Sequence, residues 1–451
     1  MALDGLAARR AALRMLAQVR DGRPFDAALD RVAPGLADAD RRLAHELAAG
    51  VLRARRELDA QLAPHVTRGW AKVPAPLQDV LRLGAYQLTA LDRVPAHAAV
   101  DTSVRLAREV GGTKAGGFVN AVLRKVAGEA APDRPRPPAT ALDRPSTLAE
   151  RHSHPDWLVR RWVERFGDAE TERLLAWNNT RPQLVLQPAR ARADALLERW
   201  QAAGLAVRPA PFGAGLVTEA RRPADVPGYA EGAFVVQDPA QALLAWYADL
   251  PPDALVYDAC AAPGGKTIGL GRCGARVVAA DVSRARVRRL RENLQRAGSG
   301  REHVVVADAL HPPLRARDVP VVLLDAPCLG TGTFARHPDA RWRVTPEALA
   351  ELAARQAALL DEAAHAVAPG GLLVYATCSI EPEEDEQQVD AFLARHPEFR
   401  REPPEDFPAS LLSAQGDLVV LPQRHRMDGA FAARLRRADL TAEPPTPESD
   451  S

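Results

Sequence analysis

From residue 236 onward, short apolar runs alternate with helical stretches, and this rhythm most restricts what the chain can become. The apolar runs fall at residues 255–257, 276–280, 303–306, 321–324 and 371–377. Helical periodicity lies between them, notably at 284–297 and 346–367. Short apolar strands alternating with helices predict a parallel, doubly wound α/β sheet, here over residues 236–440. Ligands of such sheets collect at the carboxyl ends of the strands.

The rest of the chain reads differently. Residues 5–128 show helical spacing at 7–19, 39–53, 76–91, 95–110 and 117–126, with Leu13, Leu16 and Ala17 sharing a face. Strand-like alternation is absent, so residues 1–130 are expected to form an all-α bundle. Residues 131–146 are rich in proline and predict an extended linker. Residues 147–235 begin with helical stretches at 157–166 and 169–178. They continue with a strand at 183–187, a helix at 191–203 and short strands at 205–208, 216–219 and 233–236, which is a small α+β module. Residues 441–451 are Pro- and acid-rich and predict a disordered tail.

A chain of 451 residues is too long for one ordinary core, which agrees with several domains. No apolar run of about 20 residues occurs, and Arg9, Arg10 and Arg14 interrupt the N-terminal apolar pattern, unlike a secretory signal. A cytoplasmic location without a membrane partner is expected. The net charge of +1 hides an asymmetry. Residues 1–130 carry 20 Lys+Arg against 14 Asp+Glu, a difference of +6, and residues 381–451 carry 8 against 16, a difference of −8. A basic N-terminal segment suits phosphate backbones, although an arginine-rich solvated surface explains the charge equally simply. The four cysteines, Cys260, Cys273, Cys328 and Cys378, form no Cys-x-x-Cys pair, so neither zinc nor a disulfide framework is expected.

Chemistry concentrates at the predicted strand ends. Asp258-Ala-Cys-Ala-Ala-Pro-Gly-Gly-Lys-Thr267 leaves the first strand and enters a helix. Its glycines let the backbone approach a ligand closely. A phosphate-cradling P-loop would need glycine at position 260, where Cys260 stands, and the dinucleotide Gly-x-Gly-x-x-Gly pattern also fails. Asp281 ends the second strand, 281 − 258 = 23 residues on, at the distance of an acid that takes ribose hydroxyls. Asp308 ends the third and is placed to meet an adenine edge. Either acid alone could be a helix N-cap; together they point to an adenosyl cofactor. Asp325-Ala-Pro-Cys-Leu-Gly-Thr-Gly332 and Ala376-Thr-Cys-Ser379 follow the next two strands. Cys328 and Cys378 at neighbouring strand ends favour catalysis, while packing is expected for Cys260 and Cys273.

These motifs resemble those of the RNA 5-methylcytosine methyltransferases of the Sun/Fmu (NOL/NOP2) type. Pro95-Ala-His-Ala-Ala-Val100 and Gly117-Phe-Val-Asn-Ala-Val-Leu-Arg124 resemble a NusB-like RNA-binding domain. Gln237-Asp-Pro-Ala-Gln241 and Arg426-Met-Asp-Gly429 look like further family landmarks, and the resemblance runs to about residue 437. The resemblance implies a Rossmann-like domain that binds S-adenosyl-L-methionine through Cys260, Ala261, Ala262, Pro263, Gly264, Gly265, Lys266, Asp281, Asp308 and Asp325. It implies Cys378 as nucleophile, Cys328 as the group assisting release, and small-subunit (16S) ribosomal RNA as partner, with no metal and a monomeric enzyme. Leu329, where a small residue is common, and the glycine-rich stretch 269–274 depart from the pattern without touching an assigned residue.

The chemistry explains the residue types. Carbon 5 of cytosine is a poor nucleophile, and a thiolate adding at carbon 6 turns the ring into an enamine. Asp325 is the candidate to stabilise nitrogen 3 or the amino group, and a base must then remove the carbon 5 proton. Spacing alone does not assign the two cysteine roles; the resemblance does. The same chemistry on tRNA or 23S rRNA, or a non-catalytic RNA-binding or antitermination factor, remains open at this point.

Overall fold

The structure is a computed structural model that describes residues 5–129, 144–220 and 222–439. The linker expected at 131–143 and the tail at 441–451 lie outside the described residues, and a helix already begins at Arg144. The chain forms two compact units, Met1–Arg181 with Phe334–Arg343, and Pro182–Thr333 with Val344–Ser451.

The first unit is helical. It comprises α1 (Leu6–Arg20), α2 (Phe25–Val32), α3 (Asp38–Arg53), α4 (Arg55–Leu62), α5 (Ala75–Ala90), α6 (Ala96–Glu129), α7 (Arg144–Arg151), α8 (Asp156–Phe166) and α9 (Asp168–Asn178). On α1 the residues Ala8, Ala11, Ala12, Met15, Leu16 and Val19 face the core at i, i+3, i+4 spacing. Leu13 and Ala17 lie at the margin of that stripe rather than its centre. The backbone leaves helical values at Gly112, so α6 is two helices in line, as the separate stretches 95–110 and 117–126 suggested. The short helices α2 and α4 escaped the periodicity.

Two features depart from the expected organisation. Helices α8 and α9 pack with the bundle rather than with the α+β module. Ser153 Oγ accepts the Arg56 N–H at 2.8 Å, and the Arg56 guanidinium donates to the His154 carbonyl at 2.9 Å. Residues Phe334–Arg343 also belong to this unit. Arg341 is fully buried and donates to the Asn178 carbonyl and to Asn179 Oδ1, both at 2.7 Å. Trp342 Nε1 donates to the Leu52 carbonyl at 2.7 Å, and the Phe334 ring packs against Trp162 at 6.2 Å.

The second unit opens with an antiparallel sheet of β1 (Leu184–Pro188), β2 (Val207–Pro209), β3 (Leu216–Thr218) and β4 (Phe234–Val236), in the order β2-β3-β1-β4. Helix α10 (Ala193–Ala202) covers it through Leu196 and Trp200. Then follow α11 (Pro239–Ala248), β5 (Leu255–Asp258), α12 (Gly265–Arg272), β6 (Arg276–Asp281), α13 (Arg284–Ala297), β7 (Glu302–Val306), β8 (Val319–Asp325), α14 (Pro346–Ala366) and β9 (Val367–Thr377). Strands β9-β8-β5-β6-β7 are parallel neighbours. Alternate residues face opposite layers. Val321 and Leu323 join the core under α11 and α12, while Val322 and Leu324 join the one under α14.

The sheet is not purely parallel, which corrects the sequence reading. After α15 (Glu386–Arg395), strands β10 (Phe399–Arg401), β11 (Leu418–Val420) and, past the short α16 (Pro422–His425), β12 (Ala430–Arg437) extend it. All three pairings are antiparallel, with β12 alongside β9. Such an antiparallel edge on a parallel sheet is common in doubly wound folds. The β12 sequence hides its strand because Arg434 and Arg437 are buried in it.

Candidate active site

Strand β5 ends at Asp258, and six residues lead from it into α12. Gly264 sits at φ 105°, and a Cβ there would lie 2.7 Å from Leu290 Cδ1. Only glycine takes that backbone without strain. Asp258 is fully buried and accepts from Thr267 Oγ1 at 2.7 Å, which ties the start of α12 back to the strand. Burial, aided by the negative charge of Asp325, pushes its carboxyl up to about 7. A carboxyl raised in the folded state contributes stability below its unfolded pKa near 4, and that contribution is lost as pH rises toward about 7. Denaturation of the wild type and Asp258→Asn should therefore diverge between pH 5 and pH 8 by about 2–3 kcal/mol in the variant's favour. A gap that does not move with pH would mean that Asp258 is ionised throughout.

Asp281 ends β6 and is 2 % exposed. Its Oδ1 accepts the Ser283 N–H at 2.9 Å. Its Oδ2 has no hydrogen-bond partner, although Arg286 stands 3.2 Å away without bonding geometry. An orphaned carboxylate oxygen in this position fits a ribose diol. Asp308 is half-exposed and accepts the Leu310 N–H at 3.0 Å, the main cause of its lowered pKa. The exposed Val282 and Val306 stand at the ends of β6 and β7, with Val306 paired to Asp281 across the ladder. Two solvent-facing valines beside the candidate ribose acid suit the flat face of an adenine. The sequence reading missed them, and their signal was only an apolar residue next to each acid.

Strands β8 and β9 bring the remaining groups together. The Cys328 and Cys378 sulfurs are 3.4 Å apart. Lys266 Nζ donates to Asp325 Oδ2 at 2.6 Å. Burial works against the charge of Lys266, but Asp325 outweighs it and raises the pKa, with Cys378 adding to the effect. The Cys328 thiol is pushed up, chiefly by the Cys378 sulfur and then by burial.

The two cysteine loops are stitched to one another by groups that the motifs did not single out. Glu384, fully buried, accepts the Leu329 N–H at 2.9 Å and the Gln356 amide at 3.0 Å. The Gly332 N–H donates to the Cys378 carbonyl at 3.1 Å, and Thr331 Oγ1 accepts from Ile380 N at 3.0 Å. A Cβ on Gly332 would lie 2.6 Å from the Gly429 Cα, so the backbones touch where glycines meet. Gly429 closes the Arg426-Met-Asp-Gly429 motif, and Asp428 N donates to Asp238 Oδ1 at 3.0 Å. The two outlying landmarks are therefore one structural junction.

Cys260 is half-buried, and burial together with Asp325 and Asp258 pushes its thiol up to about 12, so it offers no thiolate. Cys273 was expected to pack, but it is exposed just past α12. Among the described residues no group of His, Cys, Asp and Glu is arranged to hold a metal, and no helix is long and apolar enough to cross a membrane.

A cleft that can take an adenosyl ligand, on a sheet of this topology, puts the chain among Rossmann-like methyltransferases. A family model described as 16S rRNA methyltransferase RsmB/F matches residues 246–436, one for the NusB family matches 6–128, and a ferredoxin-like domain of RsmF/B-like methyltransferases matches 154–224. Probable ribosomal RNA small subunit methyltransferase B of Synechocystis is 36% identical over 92% of this chain and 95% of its own. Ribosomal RNA small subunit methyltransferase B of Vibrio cholerae is 35% identical over 95% and 97%. The crystal structure of PH0851 superposes with a TM-score of 0.80 at 25% identity, covering 96% of this chain and 99% of that one. The chain belongs to the ribosomal RNA small subunit methyltransferase B family of RNA methyltransferases.

The cofactor assignment has a direct test. Asp281→Ala removes a charged acceptor for the ribose and should weaken S-adenosylmethionine binding by about 1.5–3 kcal/mol in calorimetry, with the fold intact. Unchanged affinity would take Asp281 out of the site.

Proposed function

We propose that this chain methylates carbon 5 of a cytosine in small-subunit (16S) ribosomal RNA, in the cytoplasm, through a covalent adduct on Cys378. The observation that carries the mechanism is the pair of sulfurs 3.4 Å apart, beside the Lys266–Asp325 pair. The substrate follows the names of relatives that match over nearly the whole chain. The loop Cys260–Lys266, Asp281, Asp308 and Asp325 would hold S-adenosylmethionine, which when bound supplies an electrophilic methyl group.

The chain's own residues do the rest. The Cys378 thiolate adds to carbon 6, and electron density moves onto carbon 5 and nitrogen 3. Asp325 accepts from the amino group as the ring gains density, and the Lys266 ammonium supplies compensating positive charge. The methylated adduct still carries a hydrogen on carbon 5. Cys328 removes it as a proton, the pair forms the C5–C6 double bond, and the C6–S bond breaks to release the Cys378 thiolate. Conversion of Cys378 to a thioether removes the largest cause of the raised Cys328 pKa, which makes Cys328 a better base at the step that needs one. Bisulfite sequencing of 16S rRNA from a deletion strain should show one cytosine losing protection, restored by the wild-type gene and not by a Cys378→Ala copy. Loss of protection in tRNA or 23S rRNA instead would move the substrate and keep the chemistry.

A further inference from the structure

A groove of about 300 Å³ runs along α12, from Lys266 to Arg272, with the small antiparallel sheet as its other wall. Asp281 and Asp308 do not line it, so it is separate from the cofactor cleft. Lys266 links it to the reacting centre through Asp325. Four features of the lining point to a ligand. Phe212 is 39% exposed and holds a left-handed backbone, φ 56° and ψ 20°. A bulky residue there is strained, and its ring has only an edge contact with His425 at 6.3 Å. Trp246 is 45% exposed, resting on Phe407. The Gln241 Nε2 is buried with no hydrogen-bond partner. Arg272, at the far end, has no ion pair among the described residues and borders a second concavity shared with Arg190 and Arg192.

We infer that this groove is a second nucleotide site, which holds an unpaired base of the RNA substrate and the adjoining phosphate beside the target cytosine. The inference rests on the chain acting on RNA. Single-stranded bases are held by stacking on aromatic rings with their edges hydrogen-bonded, and their phosphates by arginine. Phe212 and Trp246 offer the faces, Gln241 the donor, and Arg272 the charge. The groove's continuity with Lys266 places the site on the path of a strand that enters the active site.

Phe212→Gly is the informative variant. Glycine accepts the left-handed backbone freely, so the ring goes without a folding cost. The KM for RNA should rise about tenfold, the value expected for one lost base stack. kcat at saturating RNA, S-adenosylmethionine affinity and Tm should hold. A purely structural Phe212 would show itself as a lower Tm with KM unchanged. Arg272→Gln should weaken RNA binding and flatten the log K against log salt slope by about 0.7, as for one single-strand phosphate contact. In the wild type, alkylation of Cys273, exposed on the groove wall, should slow with RNA and not with S-adenosylmethionine alone, read by peptide mass. An active wild type with unchanged KM in both variants and no protection of Cys273 overturns the groove alone. A wild type that leaves the RNA unmethylated overturns the functional reading and this inference with it.

Discussion

Cys328→Ala should stall as a protein–RNA adduct, whereas Cys378→Ala should form neither adduct nor product. The two sulfurs are 3.4 Å apart, so loss of either leaves the other in place at the same strand ends. Without Cys378 carbon 5 is never activated. Without Cys328 addition and methyl transfer still proceed, but the carbon 5 proton has no base, and turnover should fall by about 10²–10⁴. Protein then accumulates on RNA through Cys378. Denaturing gels with labelled RNA and cofactor separate these cases: a slow band for Cys328→Ala that disappears in the double mutant. An adduct formed by Cys378→Ala and dependent on Cys328 would reverse the roles. Full turnover by both single variants would return both cysteines to packing. Calorimetry with S-adenosylmethionine serves as the control, since neither thiol belongs to the ribose or adenine positions.

What could be read from the sequence was what chemistry forces into short local patterns. Asp258, Asp281 and Asp308 stand at the ends of strands β5 and β6 and just beyond β7, and the period of the apolar runs made those ends visible before any coordinates. The two cysteine motifs were legible for the same reason, but their 3.4 Å separation depends on β8 and β9 being neighbours, a fact of topology. Glu384 could not be read at all, because a carboxylate holding the Leu329 N–H lies 55 residues from its partner and follows no local period. The antiparallel β12 was hidden by its buried arginines, and Cys273 was misplaced because type alone says little about exposure at a helix end. The division of the chain failed most clearly at Phe334–Arg343. Ten residues with no periodicity, sitting between a strand and a helix of one unit, pack inside the other.

That segment sets the expected cost of losing the helical unit. Its sequence continues directly from the loop Cys328–Thr333, and its partners are groups such as Leu52 and Phe25. A chain lacking residues 1–130 leaves Trp342 Nε1 without the Leu52 carbonyl and Asp339 without the Phe25 N–H, and each buried group left unpaired costs about 1–3 kcal/mol. The basic segment, +6 in charge, goes as well. S-adenosylmethionine affinity should hold within about twofold, because Asp258, Asp281 and Asp308 all belong to the other unit. Methylation of natural RNA should fall by at least about 100-fold, the scale of a catalytic group displaced by an ångström, and the salt dependence of RNA binding should flatten. Trp342→Phe in the full-length chain separates the two effects. It removes one donor from the anchored segment and leaves the basic surface intact, so kcat should fall while the RNA KM and its salt dependence stay. If the shortened chain methylates natural RNA as efficiently as the full one, the helical unit contributes neither anchoring nor RNA selection.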